Sequence, residues 1–301
     1  MKVIQRNDVI YKFKAEMPAV ERVNPGEIFK VITNDCFFQQ VFREDQVLTE
    51  IDYSRLNPAT GPIFVEGAEP GDLLKVKILS IEVATKGVAA VVPKEGVLGN
   101  KVSKPIIRVI SINDGCCDFD GIKIQARPMI GVIGVAPAKE DGEWATDSPW
   151  KHGGNMDTTD ICQGSTLYFP VRQEGALLAL GDCHAVMGDG EVCFTGLEVP
   201  GEVILQVDVI KGKATTWPLL ETHKATMIIA SGDTLDHAIH EATNQAVDHL
   251  KHSLNLEWEN AYMLASLSVD LKISQVVDPK KTVRASIPKS ILSTEKLIRS
   301  I

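Results

Sequence analysis

Leu73-Leu-Lys-Val-Lys-Ile-Leu-Ser-Ile-Glu-Val83 is rich in Val, Ile and Leu, follows the turn residues Pro70-Gly-Asp72, and reads as a strand rather than a helix. Similar runs lie on either side of it: Ile28–Thr33, Ile106–Ser111, Met129–Val135 and Val203–Ile210, separated by clusters of Gly, Pro, Asn and Asp. No helical period of any length is visible before residue 230. Many short strands with turn-rich connections are best satisfied by sheets packed on sheets.

The pattern changes near Thr226. Leu235, Ile239, Ala242, Ala246 and Leu250 recur at spacings of three and four, the apolar stripe of an amphipathic helix, with Asp233 expected at its N-cap. His237, His240, His249 and His252 lie largely off this stripe and read as solvated side chains or an oligomer contact. A second helix is expected over about residues 257–267, followed by a strand in which Val269, Leu271 and Ile273 alternate with polar residues. The expected fold class is α+β but predominantly β. A sandwich-like or barrel-like body carries a smaller C-terminal α+β portion, divided as 1–130, 131–225 and 226–301.

The chain has 301 residues, enough for a sizeable core, and 31 basic against 40 acidic residues give it a net charge of −9. No Lys/Arg run and no stretch of about eighteen apolar residues occurs, so neither nucleic acid nor a membrane is an expected partner. A cytoplasmic location is expected. The six cysteines, at 36, 116, 117, 162, 183 and 193, form no C-x-x-C pair and read as reduced thiols.

Chemistry concentrates at GDCHAVMGDGE, residues 181–191, directly after the apolar run Gly175–Leu180. On a strand Asp182 and His184 project to one face about 6.6 Å apart along the chain, a spacing that two ligands of one metal ion can span. Cys183 then points the other way. The turn Gly188-Asp-Gly190 brings Asp189 and Glu191 back toward the same neighbourhood. Asp35 ends another strand in Thr33-Asn-Asp-Cys36, and His152-Gly-Gly-Asn-Met-Asp157 sets two glycines between a histidine and an Asn/Asp pair.

NPATGPIFVEGAEPGD at 57–72, HGGNMDTTDICQGSTLYFPV at 152–171, GDCHAVMGDGEVC at 181–193 and AYMLASLSVDLKISQVVDP at 261–279 together resemble the acetamidase/formamidase family, in the family's order along the whole chain. The resemblance implies hydrolysis of short aliphatic amides or formamide to a carboxylate and ammonia, and also oligomers. Met156 and Ala185-Val-Met187 depart from the formamidase pattern, which places the chain nearer the acetamidase-like branch.

An amide is a poor electrophile with a poor leaving group, so its hydrolysis needs a strong nucleophile, an oxyanion stabiliser and a proton donor. A divalent ion that acidifies water supplies the first at neutral pH. Asp35, Asp182 and His184 form a mixed donor set suited to zinc, with His152 and Asp157 as further ligands or supporting partners. Oxygen donors around Asp189 and Glu191 could instead hold calcium. Asn34 and Asn155, beside the ligand candidates, are the expected substrate contacts. Glu221, in the apolar stretch after Trp217-Pro218-Leu-Leu220, is the expected general base, because burial raises a carboxyl pKa toward neutrality; Glu191 is its alternative. A cysteine nucleophile would rest on Cys36 or Cys162, neither in a recognisable motif, and the G-x-S-x-G elbow is absent. The expected substrate is a small neutral amide in a small pocket, and the expected assembly a homodimer or a dimer of dimers. The rival reading is a non-catalytic β-sandwich binding module stabilised by calcium at the acidic turn.

Overall fold

The computed structural model describes residues 1–301 and contains two large sheets packed face to face. Strand Leu73–Val83 lies inside the nine-stranded sheet, paired with Gly201–Ile210 on one side and Thr166–Pro170 on the other. Its Leu74, Val76 and Ile78 alternate with the more exposed Lys75 and Lys77, so one face points into the core. The sheet continues through Leu219–Glu221, Ala225–Gly232 and Lys281–Pro288 to an edge strand, Asp270–Gln275; in the other direction it ends with Ile28–Ile32 and Lys2–Ile4. It therefore draws strands from all three sequence segments.

The second sheet holds Met129–Gly134 and Leu178–His184 as antiparallel neighbours. Gly153–Asn155 flanks the first of these, and Glu198–Val199 and Ala59–Val65 pair with the second. A cluster of 36 buried residues, reaching from Ile4 to Ile229, fills the space between the sheets, so the first two segments share one core.

Helices α1 (Leu235–Leu254), α2 (Trp258–Ser268) and α3 (Thr294–Ser300) cover the outer face of the nine-stranded sheet through a separate cluster of 19 buried residues. Strand Ala225–Gly232 has layers on both faces, which is why all eight of its residues are buried and its sequence lacks a polar alternation. No α-helix precedes Leu235, as the absence of a helical period predicts. Ala238, Ala242 and Ala246 let α1 approach the sheet closely.

Two details of α1 differ from the sequence reading. Thr234, rather than Asp233, is the N-cap: its hydroxyl accepts from the His237 N–H, while the Asp233 carboxylate accepts from Lys280 Nζ at 2.6 Å. His249 is also not solvated. Lying one turn beyond Ala246, it is buried beside Leu250, and burial, with a smaller effect from His252, pushes its pKa down to about 4. No helix is long and apolar enough to cross a membrane.

Candidate active site

Asp182 and His184 deliver their side chains to one cluster, as the strand spacing predicts, with Asp182 Oδ1 3.5 Å from His184 Nε2. Cys183 points into the intersheet core, where its sulfur accepts from the Thr33 hydroxyl. The other members come from separate elements. Glu198, on the neighbouring strand and in register with His184, places Oε2 3.2 Å from His184 Nε2. Asp157, just beyond Gly153–Asn155, places Oδ1 3.8 Å from the same nitrogen. Glu191 closes the GDGE turn beside them, and Asp278 meets Asp157.

Backbone conformation is bent to achieve this convergence. Asp157, Asp182 and Glu191 have φ of +38°, +54° and +48°, left-handed values that non-glycine residues adopt at a cost. Gly131, opposite on Met129–Gly134, gives the carboxylates room: a Cβ there would lie 2.5 Å from Asp157 Oδ1 and 2.6 Å from Asp182 Oδ2. Gly196 does the same for the ring, since its Cβ would lie 2.6 Å from His184 Nδ1.

The site holds more buried carboxyl groups than its one imidazole can balance. Burial raises Asp157 to about 6, with Asp182 adding to the effect and His184 opposing it. Burial likewise raises Glu198 to about 8, although His184 pulls it back. Glu191 and Asp278 are pushed well above the usual carboxylate range, first by burial and then by Asp157. For His184 burial acts downward, but Glu198 and Asp182 outweigh it and hold the imidazole well above its ordinary pKa. Asp157 Oδ1, Asp182 Oδ1, Glu198 Oε2 and His184 Nδ1 are all buried without a hydrogen-bond partner.

Two donor groups have ligand atoms within 4.8 Å of one another: Asp157, His184 and Glu191, and Cys36, Asp182 and Glu198. Asp182, Glu191, Glu198 and Asp278 line a cavity of about 560 Å³ that also takes in Asn155 and Lys281. Asn155 Oδ1 is buried and unpartnered.

Several sequence-selected residues lie outside this arrangement. Asp35 spends Oδ1 on the Gln39 N–H at 2.7 Å; burial raises it to about 6 against that bond, and its neighbour Cys36 is the one that enters a donor group. Burial and the nearby Glu198 push the Cys36 thiol well up, which opposes a thiolate nucleophile. Asn34 is committed to the Arg6 carbonyl and the Gln39 side chain, so it offers a substrate little. His152 is buried against Phe13, and burial alone lowers it to about 3.

Asp189 is gripped by Arg284, whose Nη2 lies 2.7 and 2.8 Å from its two carboxylate oxygens, so it forms an ion pair rather than a calcium cradle. Arg284 is 1% exposed and also donates to Asp160 at 2.9 Å and to the Ile273 carbonyl at 3.0 Å. Glu221 sits at the end of Leu219–Glu221, where Lys289 Nζ at 2.7 Å and the Tyr168 hydroxyl at 2.5 Å hold its pKa below the usual range against the upward pull of burial. That is the reverse of what a general base near neutrality needs.

Glu198 and Asp278 escaped sequence reasoning. Glu198 stands in an unremarkable strand with no second acidic or histidine residue beside it, whereas Asp278 lies within one of the four family-like blocks.

A sequence model described as the Acetamidase/Formamidase family matches residues 2–145 and 140–294. A formamidase of Methylophilus methylotrophus is 26% identical over 95% of this chain and 90% of its own length, and an acetamidase of Mycolicibacterium smegmatis is 26% identical over 68% and 67%. Among solved structures, a recombinant predicted acetamidase/formamidase from Thermoanaerobacter tengcongensis superposes with a TM-score of 0.95 at 45% identity, covering 98% of both chains. An acetamidase from Bacillus halodurans gives 0.94 at 40% identity, over 98% of this chain and 99% of that one. With both sequence and fold matched from end to end, the chain belongs to the acetamidase/formamidase family.

Proposed function

We propose that this protein hydrolyses linear amides to a carboxylate and ammonia, using a divalent ion, zinc before calcium, held by the buried cluster. The observation that carries the reading is the set of unpartnered oxygens of Asp157, Asp182 and Glu198 around His184, in a site whose buried acids outnumber its cations. Uncompensated buried carboxylates are costly, and a bound cation removes that cost. Imidazole, thiol and carboxylate donors together suit zinc better than calcium, which prefers oxygen alone. His184, Asp157 and Glu191 would hold one ion, and Cys36, Asp182 and Glu198 offer a second set.

When bound, such an ion acidifies water and polarises a carbonyl. The chain's own residues supply the rest. Asn155 lines the cavity, and its side-chain NH₂ is a neutral donor for the substrate carbonyl oxygen. Asp278, which stands in neither donor group and turns a buried, unpartnered Oδ2 to the cavity it lines, is the carboxyl assigned to take a proton from water and return it to the leaving nitrogen.

Ammonia release from acetamide, measured before and after exhaustive chelation and again after zinc is restored, tests the reading. Activity should vanish and return. Full turnover in metal-free protein would refute it.

A further inference from the structure

The cavity that receives the cluster is larger and more apolar than acetamide requires. At about 560 Å³ it falls in the range of roughly 300–1,000 Å³ used by drug-sized ligands, whereas acetamide adds only a methyl group to its carboxamide. Buried Asp182 and Glu198 and exposed Tyr53 all line it, so it runs from the cluster to the surface. Between them stands a wall of Phe37, Leu48, Ile51, Leu56 and Val92.

This wall has its own support. Phe37 and Leu48 belong to a separate packed cluster with Val41, Val88 and Ile107, and Ile51, Leu56 and Val92 pack against that cluster. The segment bearing Ile51 and Leu56 is tied back to the rest: Gln40 Oε1 accepts from the Asp52 N–H at 2.8 Å, and Gln40 Nε2 donates to the Asp52 carbonyl at 3.2 Å. Asp52 in turn caps the short helical turn Tyr53–Arg55. The apolar surface is thus built in advance rather than assembled around a ligand. Lys281 is the one basic side chain along the cavity, against Glu95, Asp147 and the cluster acids, so an anionic substrate gains little there.

We infer that the substrate is a neutral linear amide carrying an apolar group larger than methyl, with the amide at the cluster and the apolar group on this wall. The inference rests on the hydrolytic reading above and replaces the small pocket expected from the sequence. The reaction consumes one water: its oxygen bonds to the carbonyl carbon, the C–N bond breaks, and the nitrogen leaves with a proton from that water.

Rates for acetamide, butyramide, hexanamide and N-butylacetamide on the zinc-loaded full chain test it, with calorimetric binding measured in parallel. Hexanamide places the apolar group on the acyl side, and N-butylacetamide on the amine side. Burying a CH₂ is worth about 0.8 kcal/mol, so kcat/KM should rise about fourfold per methylene and be on the order of a hundredfold higher for hexanamide than for acetamide. If the amine side carries the group, N-butylacetamide shows the rise instead. Val92→Trp, which fills the wall, and Leu56→Ser, which makes it polar, should each cut the long-to-short ratio at least tenfold.

Equal or faster turnover of acetamide than of both hexanamide and N-butylacetamide overturns the inference, as does a ratio unchanged in both variants. Should no amide be hydrolysed, the hydrolytic reading fails and binding decides. A longer amide bound at least tenfold more tightly than acetamide upholds the wall; equal or weaker binding overturns it.

Discussion

Gly131 sets the spacing of the cluster, since any larger residue there meets Asp157 and Asp182 before it meets anything that can yield. Gly131→Ala is expected to lower bound zinc and amide turnover together by at least about a hundredfold, the scale of misplaced catalytic groups, while unfolding stays cooperative. Metal analysis, ammonia assay and a denaturant titration on one preparation check this. Asp278→Asn should keep its metal and lose about two to four orders of magnitude in turnover, the usual contribution of a proton carrier. Glu221→Gln should behave in the opposite way. Turnover stays within about twofold, and stability falls by roughly 1–3 kcal/mol through loss of the charged hydrogen bonds from Lys289 and Tyr168, read as a lower urea midpoint. The apolar neighbours of Glu221 were plain in the sequence and suggested a raised pKa, but Lys289 lies sixty-eight positions away and only the sheet brings it alongside. Asp182 and His184 were legible because they share one strand; Glu198 was not, because register between strands is a tertiary fact.

At the level of elements, periodicity worked where one face of an element is buried and failed where burial is wider. The stripe of α1 was correct in position, yet His249 lies within the buried arc next to it, which the sequence read as solvent-facing. This position has a pH signature. Its folded-state pKa of about 4 lies below the unfolded value of about 6.5, so the unfolded chain takes the proton first on acidification. Stability from the neutral ring is complete above about pH 6.5, declines as pH falls, and is exhausted near pH 4. Relative to His249→Gln, the wild-type chain should therefore lose about 2 kcal/mol of unfolding free energy between pH 7 and pH 5, from roughly 1.4 kcal/mol per pKa unit. Parallel urea titrations at the two pH values measure it, and a constant difference between the proteins would contradict the assignment.

Across the whole molecule, one face is left apolar. Trp258, Tyr262, Met263 and Leu267 of α2 are exposed, Leu267 at 85%, and beside them Leu271 and Ile273 project from the edge strand Asp270–Gln275. An apolar patch next to a strand edge that is bridged only at its Gln275 end, to Gly190, is suited to covering by a second copy, so a two-fold dimer is expected. Light scattering should give twice the chain mass at micromolar concentration, and Leu267→Glu combined with Ile273→Lys should halve it; a wild-type particle of single-chain mass would end the idea. The same C-terminal strands bear on when the chain becomes able to work. Arg284 reaches from Lys281–Pro288 to Asp160 and Asp189, on the two loops that present Asp157 and Glu191, and Asp278 arrives on the link between the last two strands. During synthesis the intersheet core, complete by Ile229, can form on a nascent chain while the acidic loops still lack their guanidinium brace. The acidic centre is then the last part of the molecule to be assembled: until residue 284 has emerged from the ribosome, the loops bearing Asp160 and Asp189 lack the side chain that ties them to the sheet.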